Sequence, residues 1–166
     1  QHGKYYVSTL SEGALDGTGA RSYKDGDDTG RGLSCHNIEW LEANFPLLYL
    51  FRRNTRGGAG AGRYRGGTGG ESALTVHDAP EGKIKGVALG VAGLRNSGQG
   101  MFGGYPGAPS LLMLKEGTRV NEVIAVDKAP DQLDDIGGEG RLLPYCEFDI
   151  GKSDVLYMRM SSGGGY

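Results

Sequence analysis

The sequence predicts a mainly β fold (β-rich α+β) in which short antiparallel strands are joined by long glycine-rich loops, with one short helix near residues 37–45. Two observations carry this. Thirty-two of 166 residues are glycine, almost three times ordinary usage of about 7%. They have no strict period, which excludes collagen, and they recur between short apolar runs instead of filling one tail. Glycine supplies positive φ without a Cβ clash, so this spacing reads as tight turns between strands. The second observation is the runs themselves, rich in β-branched and aromatic residues and one strand long. At 17.5 kDa the chain has room for one core, and residues 1–166 are expected to form a single domain.

In chain order, residues 4–10 read as a strand and residues 11–33 as a long Gly/Asp loop. "NIEWLEANF" (Asn37–Phe45) is the helix: Ile38, Leu41 and Phe45 share a face, and Pro46 ends it. Leu47–Arg53 and Glu71–His77 are strands that bracket "RRNTRGGAGAGRYRGGTGG" (Arg52–Gly70). Ala79–Lys83 is a turn, Ile84–Gly93 a strand, and Arg95–Ser110 a Gly/Pro loop. Leu111–Lys115, Arg119–Val126, Tyr145–Ile150 and Asp154–Met160 read as further strands, before the tail "SSGGGY".

The arginine–glycine stretch looks at first like an RNA-gripping arm. Such arms stay disordered because nothing apolar flanks them, whereas this one is held by strands at both ends. An ordered loop is therefore expected from Asn54 to Gly70. Arg56, Arg63 and Arg65, with the backbone at Gly66 and Gly67, are the candidate anion- or interface-binding residues. Their guanidinium groups can grip a carboxylate or phosphate, or pair with the chain's own aspartates, and internal pairing is the favoured reading. A net charge of −2 and a pI near 5.9 lack the basic excess of a phosphate-binding domain, so nucleic acid is not the expected partner.

Other motifs fail on their chemistry. "DGDDTG" (Asp25–Gly30) begins like a calcium loop, but the twelfth position is His36, where a bidentate Glu is needed. "GQGMFG" (Gly98–Gly103) fits G-x-G-x-x-G, yet "GYPGAP" follows and cannot open the helix that would receive a pyrophosphate. His2, His36, His77, Cys35 and Cys146 have no recognised ligand spacing, so no metal and no catalytic residue is assigned to this chain. The two cysteines read as a reduced cytosolic pair. No apolar run is long enough to span a membrane and no signal peptide is visible, so a cytoplasmic location is expected. The start at Gln1, without Met, reads as a processed or cut product.

Three segments carry a resemblance: "GARSYKDGDDTG" (Gly19–Gly30), "EANFPLLYLFRRNTRGGAGAGRYRGGTGGE" (Glu42–Glu71) and "GMFGGYPGAP" (Gly100–Pro109). Together with "SDVLYMRMSSGGGY" (Ser153–Tyr166), they resemble the C-terminal third of the hydantoinase B/oxoprolinase family. The leucine- and aromatic-rich "FPLLYLF" leans toward the members found in acetone and acetophenone carboxylases. The sequence departs from the usual "DSGG" before the glycine run, reading "NTRGG" (Asn54–Gly58), so a role for that aspartate does not carry over. The resemblance implies a hetero-oligomer of hydantoinase A-type and hydantoinase B-type chains that carboxylates ketones or hydrolyses cyclic amides through a phosphorylated intermediate. It also implies that ATP and a divalent metal are held by partner chains, the metal ligands lying in the N-terminal part of the hydantoinase B chain. This chain would then complete the component's fold without a self-sufficient active site. Apolar residues in a loop, Met101–Tyr105, are expected to meet a partner over more than about 2,000 Å².

Overall fold

The computed structural model describes residues 7, 15–30, 35–79, 82–88, 98–126 and 128–166. Its helix α1 (Ile38–Asn44) starts where the Asn37 side chain accepts a 2.9 Å hydrogen bond from the Trp40 N–H. It ends at Phe45, before Pro46. Strands β1 (Leu47–Asn54), β2 (Gly70–Val76), β4 (Leu111–Glu116), β5 (Glu139–Leu142) and β7 (Val155–Arg159) form one sheet in the order β1-β2-β7-β4-β5. Every neighbouring pair in it is antiparallel. Strands β3 (Lys83–Ala88) and β6 (Cys146–Gly151) form a separate antiparallel pair.

Residues 119–126 correct the sequence reading. They were expected as a strand, but Val120–Ala125 is the helix α2. The β-branched residues argue for a strand, yet Val120, Val123 and Ile124 lie at i, i+3 and i+4. That spacing gives a helix one apolar stripe, and all three pack into one core cluster. A 3-10 turn at Leu133–Ile136 and the exposed edge strand β5 were not anticipated. The strand expected over residues 4–10 and the end of the one expected over Ile84–Gly93 lie outside the described residues, apart from Val7. Cys35 and Cys146 are not joined in a disulfide.

Alternation along the strands gives the main sheet two buried faces. One carries Leu74, Val76, Leu114, Leu156 and Met158, and is covered by the β3–β6 pair through Ala88 and Ile150. The other carries Ala73, Val155 and Tyr157, and is covered by Val120 of α2 and Ile136 of the 3-10 turn. The register shifts between Tyr49 and Phe51, a bulge that places Leu50 with Phe51 on this second face.

Beyond the ends of β1, β2 and β7 the chain forms a second kind of structure. Residues 16–20, 25–30, 55–69, 98–110 and 160–166 contain almost no helix or strand, but their backbones bond to one another. The tail 161–166 runs through the middle. Its carbonyls accept from the N–H groups of Gly17 (to Ser161), Gly60 (to Gly163), Ala20 (to Gly164) and Met101 (to Gly165), at 2.9–3.0 Å. Its own N–H groups donate to Gly67, Tyr105 and Ala108. A β-strand has neighbours on two sides only. This tail is bonded to three separate stretches of chain, which together form a backbone-bonded bundle.

Glycine makes that approach possible. A Cβ on Gly163 would collide with the carbonyl of Thr18, and one on Gly66 with the carbonyl of Gly163. Carboxylates pin the bundle's outer stretches. Asp16 accepts from both the N–H (3.0 Å) and the hydroxyl (2.7 Å) of Ser161. Asp25 and Asp28 accept from the N–H groups of Arg65 (2.8 Å) and Thr68 (2.7 Å). The Thr68 N–H holds the Asp28 carboxyl below its ordinary pKa. The loop from Asn54 to Gly70 is thus tied down along its length.

Gly163→Ala should destabilise the protein by about 3 kcal/mol or more, because backbone cannot yield to an added methyl as a side chain can. Gly19→Ala is the control: the nearest atom to its Cβ is 3.9 Å away, and the change should stay within about 0.5 kcal/mol. Denaturant unfolding of both variants measures the difference, and equal losses would contradict the bundle packing.

Candidate functional site

Antiparallel register places three charged residues in one row across the sheet: Arg53 of β1 opposes Glu71 of β2, which opposes Arg159 of β7. Two residues further along the same face lie Phe51, Ala73 and Tyr157. This is the face covered by α2 and the 3-10 turn, and the charged row lies at the end next to the bundle. There a cleft of about 510 Å³ is lined by Phe51, Arg53, Glu71, Tyr157 and Arg159. Its remaining walls are Thr55–Gly58, Ala108 and Gln132–Asp134.

Glu71 organises the floor. Its Oε1 accepts from Arg53 Nε at 2.7 Å and its Oε2 from the Tyr157 hydroxyl at 2.6 Å. The Arg53 guanidinium also lies 4.2 Å from the centre of the Phe51 ring. Burial, then the hydrogen bond to Glu71, push the Tyr157 phenol far above its ordinary pKa. Tyr157 is therefore a fixed donor to Glu71 near neutral pH. Both carboxylate oxygens of Glu71 are engaged, and no nucleophile stands beside a free base among these lining groups. The charged lining can bind and orient a ligand.

The expected site residues do not converge. Arg56 reaches the wall of this cleft. Arg63 lines a second cavity, of about 300 Å³, with Phe102 and Tyr166, and lies 5.6 Å from the Tyr64 ring centre. Arg65 is exposed, its backbone bonded on both sides to the Asp25–Gly26 stretch. Gly66 and Gly67 are buried bundle residues, whose N–H groups donate to Gly60 and Thr18. The aspartates of the 25–28 stretch accept from the backbone N–H groups of Arg65 and Thr68 and pair with the side chains of Arg21 and Lys24, and the Arg65 charge lies close enough to Asp28 to help lower its pKa.

Sequence reasoning missed Arg53, Glu71, Tyr157 and Arg159. The available signal was charge inside runs that otherwise read as apolar strands, at the junctions with the glycine segments. Among the described residues no group of three or more His, Cys, Asp or Glu side chains could hold a metal ion. Asp25 and Asp28 are spent on the bundle and Asp27 pairs with Lys24 and Arg21, while Gly98 packs against the tail and Gly100 against Gly104.

Glu71→Gln should let Tyr157 titrate closer to its ordinary value of 10.0, visible as earlier phenolate absorbance on raising the pH. Because folding raises this pKa, the stabilisation is fully present below the unfolded value. It is lost as the pH rises above about 10 toward the folded value. Denaturant unfolding should accordingly show wild-type stability falling on the alkaline side, and the variant less stable by about 1–3 kcal/mol at neutral pH. An unchanged Tyr157 titration in the variant would contradict the pairing.

Comparison with known proteins gives this geometry its setting. The family model described as hydantoinase B/oxoprolinase matches residues 2–166. The acetone carboxylase alpha subunit of Xanthobacter autotrophicus is 30% identical over 130 residues, which is 75% of this chain and 16% of that subunit. A solved nucleotide-free acetone carboxylase, described for its ATP-dependent acetone carboxylation, shares the fold with a TM-score of 0.64 at 23% identity. That match covers 92% of this chain and 22% of the solved chain. The chain thus spans less than a quarter of the length of either relative, while the family model runs through strands, cleft and glycine bundle alike. This chain belongs to the hydantoinase B/oxoprolinase family.

Proposed function

We propose that the chain, as one domain over residues 1–166, is a subunit or fragment of the hydantoinase B-type component of an ATP-dependent carboxylase complex. A ketone of the acetone or acetophenone kind is the favoured substrate, and a cyclic amide is the hydrolytic counterpart within the family. Its role is to complete the catalytic component's fold and hold it against hydantoinase A-type and hydantoinase B-type chains. ATP and a divalent metal belong to those partners, and the assembly works in the cytoplasm. No helix among the described residues is long and apolar enough to cross a membrane.

The observation that carries this reading is the tip of the 98–108 loop. Met101, Phe102 and Tyr105 are 58%, 81% and 69% exposed, although the loop's backbone is fastened to the tail. Phe102 is held at φ 50°, a left-handed conformation costing about 1 kcal/mol for a residue with a Cβ. An ordered loop that spends strain to present an apolar tip fits a surface that a partner covers.

The test is purification through a tag on this chain, followed by identification of the co-purifying chains and measurement of ATP-dependent incorporation of labelled bicarbonate into acetone. Phe102→Asp should lower partner retention about ten-fold or more, the effect expected from an interface hot spot, while leaving the melting of the chain unchanged. A monodisperse, cooperatively melting monomer, indifferent to Phe102→Asp, would sink the proposal. A second reading rests on the exposure of Arg56, Arg63 and Arg65: a stand-alone module gripping RNA or another anion through the 52–70 loop. It requires nucleic-acid affinity that falls steeply with salt.

A further inference from the structure

The cleft over the Arg53–Glu71–Arg159 row has a charge balance that the assembly role leaves unexplained. Arg53 and Glu71 neutralise one another at 2.7 Å, and the Tyr157 hydroxyl takes the second Glu71 oxygen. Nearby Lys115 donates to the Leu133 carbonyl at 2.7 Å, with an Asp134 oxygen 3.9 Å away. Two cationic side chains lining the cleft remain. Arg56 stands exposed on the wall and forms no ion pair among the described residues. Arg159 has one long hydrogen bond, 3.4 Å from Nη2 to the Pro109 carbonyl, and its Nε is buried with no hydrogen-bond partner.

A buried guanidinium N–H without an acceptor is costly, and native proteins pair such groups with an acceptor or an ion. The Arg159 guanidinium lines the cleft, and its neutral carbonyl partner leaves its charge uncompensated. An oxyanion supplies that charge, since the planar fork of a guanidinium matches carboxylate and phosphate oxygens. The wall beside Arg56 is open backbone: Gly57 has a φ of 77° and no atom within 4 Å of where a Cβ would stand. The cavity size lies within the ordinary range for small-molecule sites, roughly 300–1,000 Å³. Glu71 adds little repulsion, because both its oxygens are engaged and Arg53 compensates its charge.

We propose that this cleft binds a small oxyanion, a carboxylate or a phosphate, between Arg159 on the sheet and Arg56 on the glycine-loop wall. The inference is independent of the partner surface at Phe102, on a different loop tip, and has its own readout.

The assembled protein is treated with phenylglyoxal, which modifies arginine, and the modified positions are mapped by peptide mass spectrometry. Inorganic phosphate, malonate, or sodium chloride at matched ionic strength is added as the protecting probe. Phosphate or malonate should slow modification of Arg56 about ten-fold in a saturable way, the scale of one or two charge-assisted hydrogen bonds. Arg63 and Arg65, outside the cleft, should react at an unchanged rate. Whichever probe protects at the lower concentration identifies the class of oxyanion. Arg159→Lys keeps a charge but removes the fork, and should abolish the protection of Arg56. Should that variant not fold, the wild-type protection pattern decides the matter alone. Equal modification with and without both probes would overturn the proposal. So would protection matched by chloride, or an Arg56 already unreactive because a partner chain covers it. Co-purification is scored separately, so a failure here is distinguishable from a failure of the assembly role.

Discussion

The structure depends on backbone approaching backbone at positions where no side chain can fit. Gly163 is the clearest case: its N–H reaches the Gly67 carbonyl, its own carbonyl receives the Gly60 N–H, and its Cα faces the carbonyl of Thr18. Gly60, Gly66, Gly67, Gly164 and Gly165 lie under the same restriction, each against a carbonyl of another stretch. Ordinary cores gain their stability by burying apolar side chains. This region instead buries peptide groups, and backbone hydrogen bonds between its segments offset the cost. The tail 161–166 supplies many of those partners, so the loops at 16–30, 55–69 and 98–108 hold their places largely through it.

The sheet and the bundle are continuous. Strand β7 ends at Arg159, the Met160 N–H donates to the Gly70 carbonyl, and the next residues enter the bundle. Strands β1 and β2 run into it from the other side through Asn54 and Gly70. The charged row Arg53–Glu71–Arg159 is the last of the sheet before side chains give way to glycine. Helix α2 and the 3-10 turn cover the middle of that face, and beyond their reach the surface is concave. The cleft follows from this change of architecture: side chains thick enough to fill the space are present on one side of the seam only.

Two surfaces come out of the arrangement with different chemistry. The bundle holds out an apolar tip at Met101, Phe102 and Tyr105, on a loop whose backbone is fixed from Gly98 to Ala108. The seam holds a polar cleft in which Glu71 locks one arginine and one tyrosine. Both are placed by hydrogen bonds between segments distant in sequence.

Sequence by itself determined the β-rich class, the helix at Ile38–Asn44, most strand positions and the family. These rest on local signals: an N-cap at Asn37, a stop at Pro46, alternating apolar runs, and motif order. It also separated the arginine–glycine stretch from a disordered arm, since flanking strands are visible in one dimension. Tertiary structure alone decided three things. Residues 120–125 became a helix because their apolar stripe found a sheet to cover, which outweighs β-propensity. Asp25 and Asp28 took the backbone N–H groups of Arg65 and Thr68, because the loops meet main chain to main chain. Arg53, Glu71, Tyr157 and Arg159 came together through antiparallel register, which joins positions more than 80 residues apart in sequence. Composition cannot reveal that row, since register depends on which strands pair, and pairing depends on the whole fold.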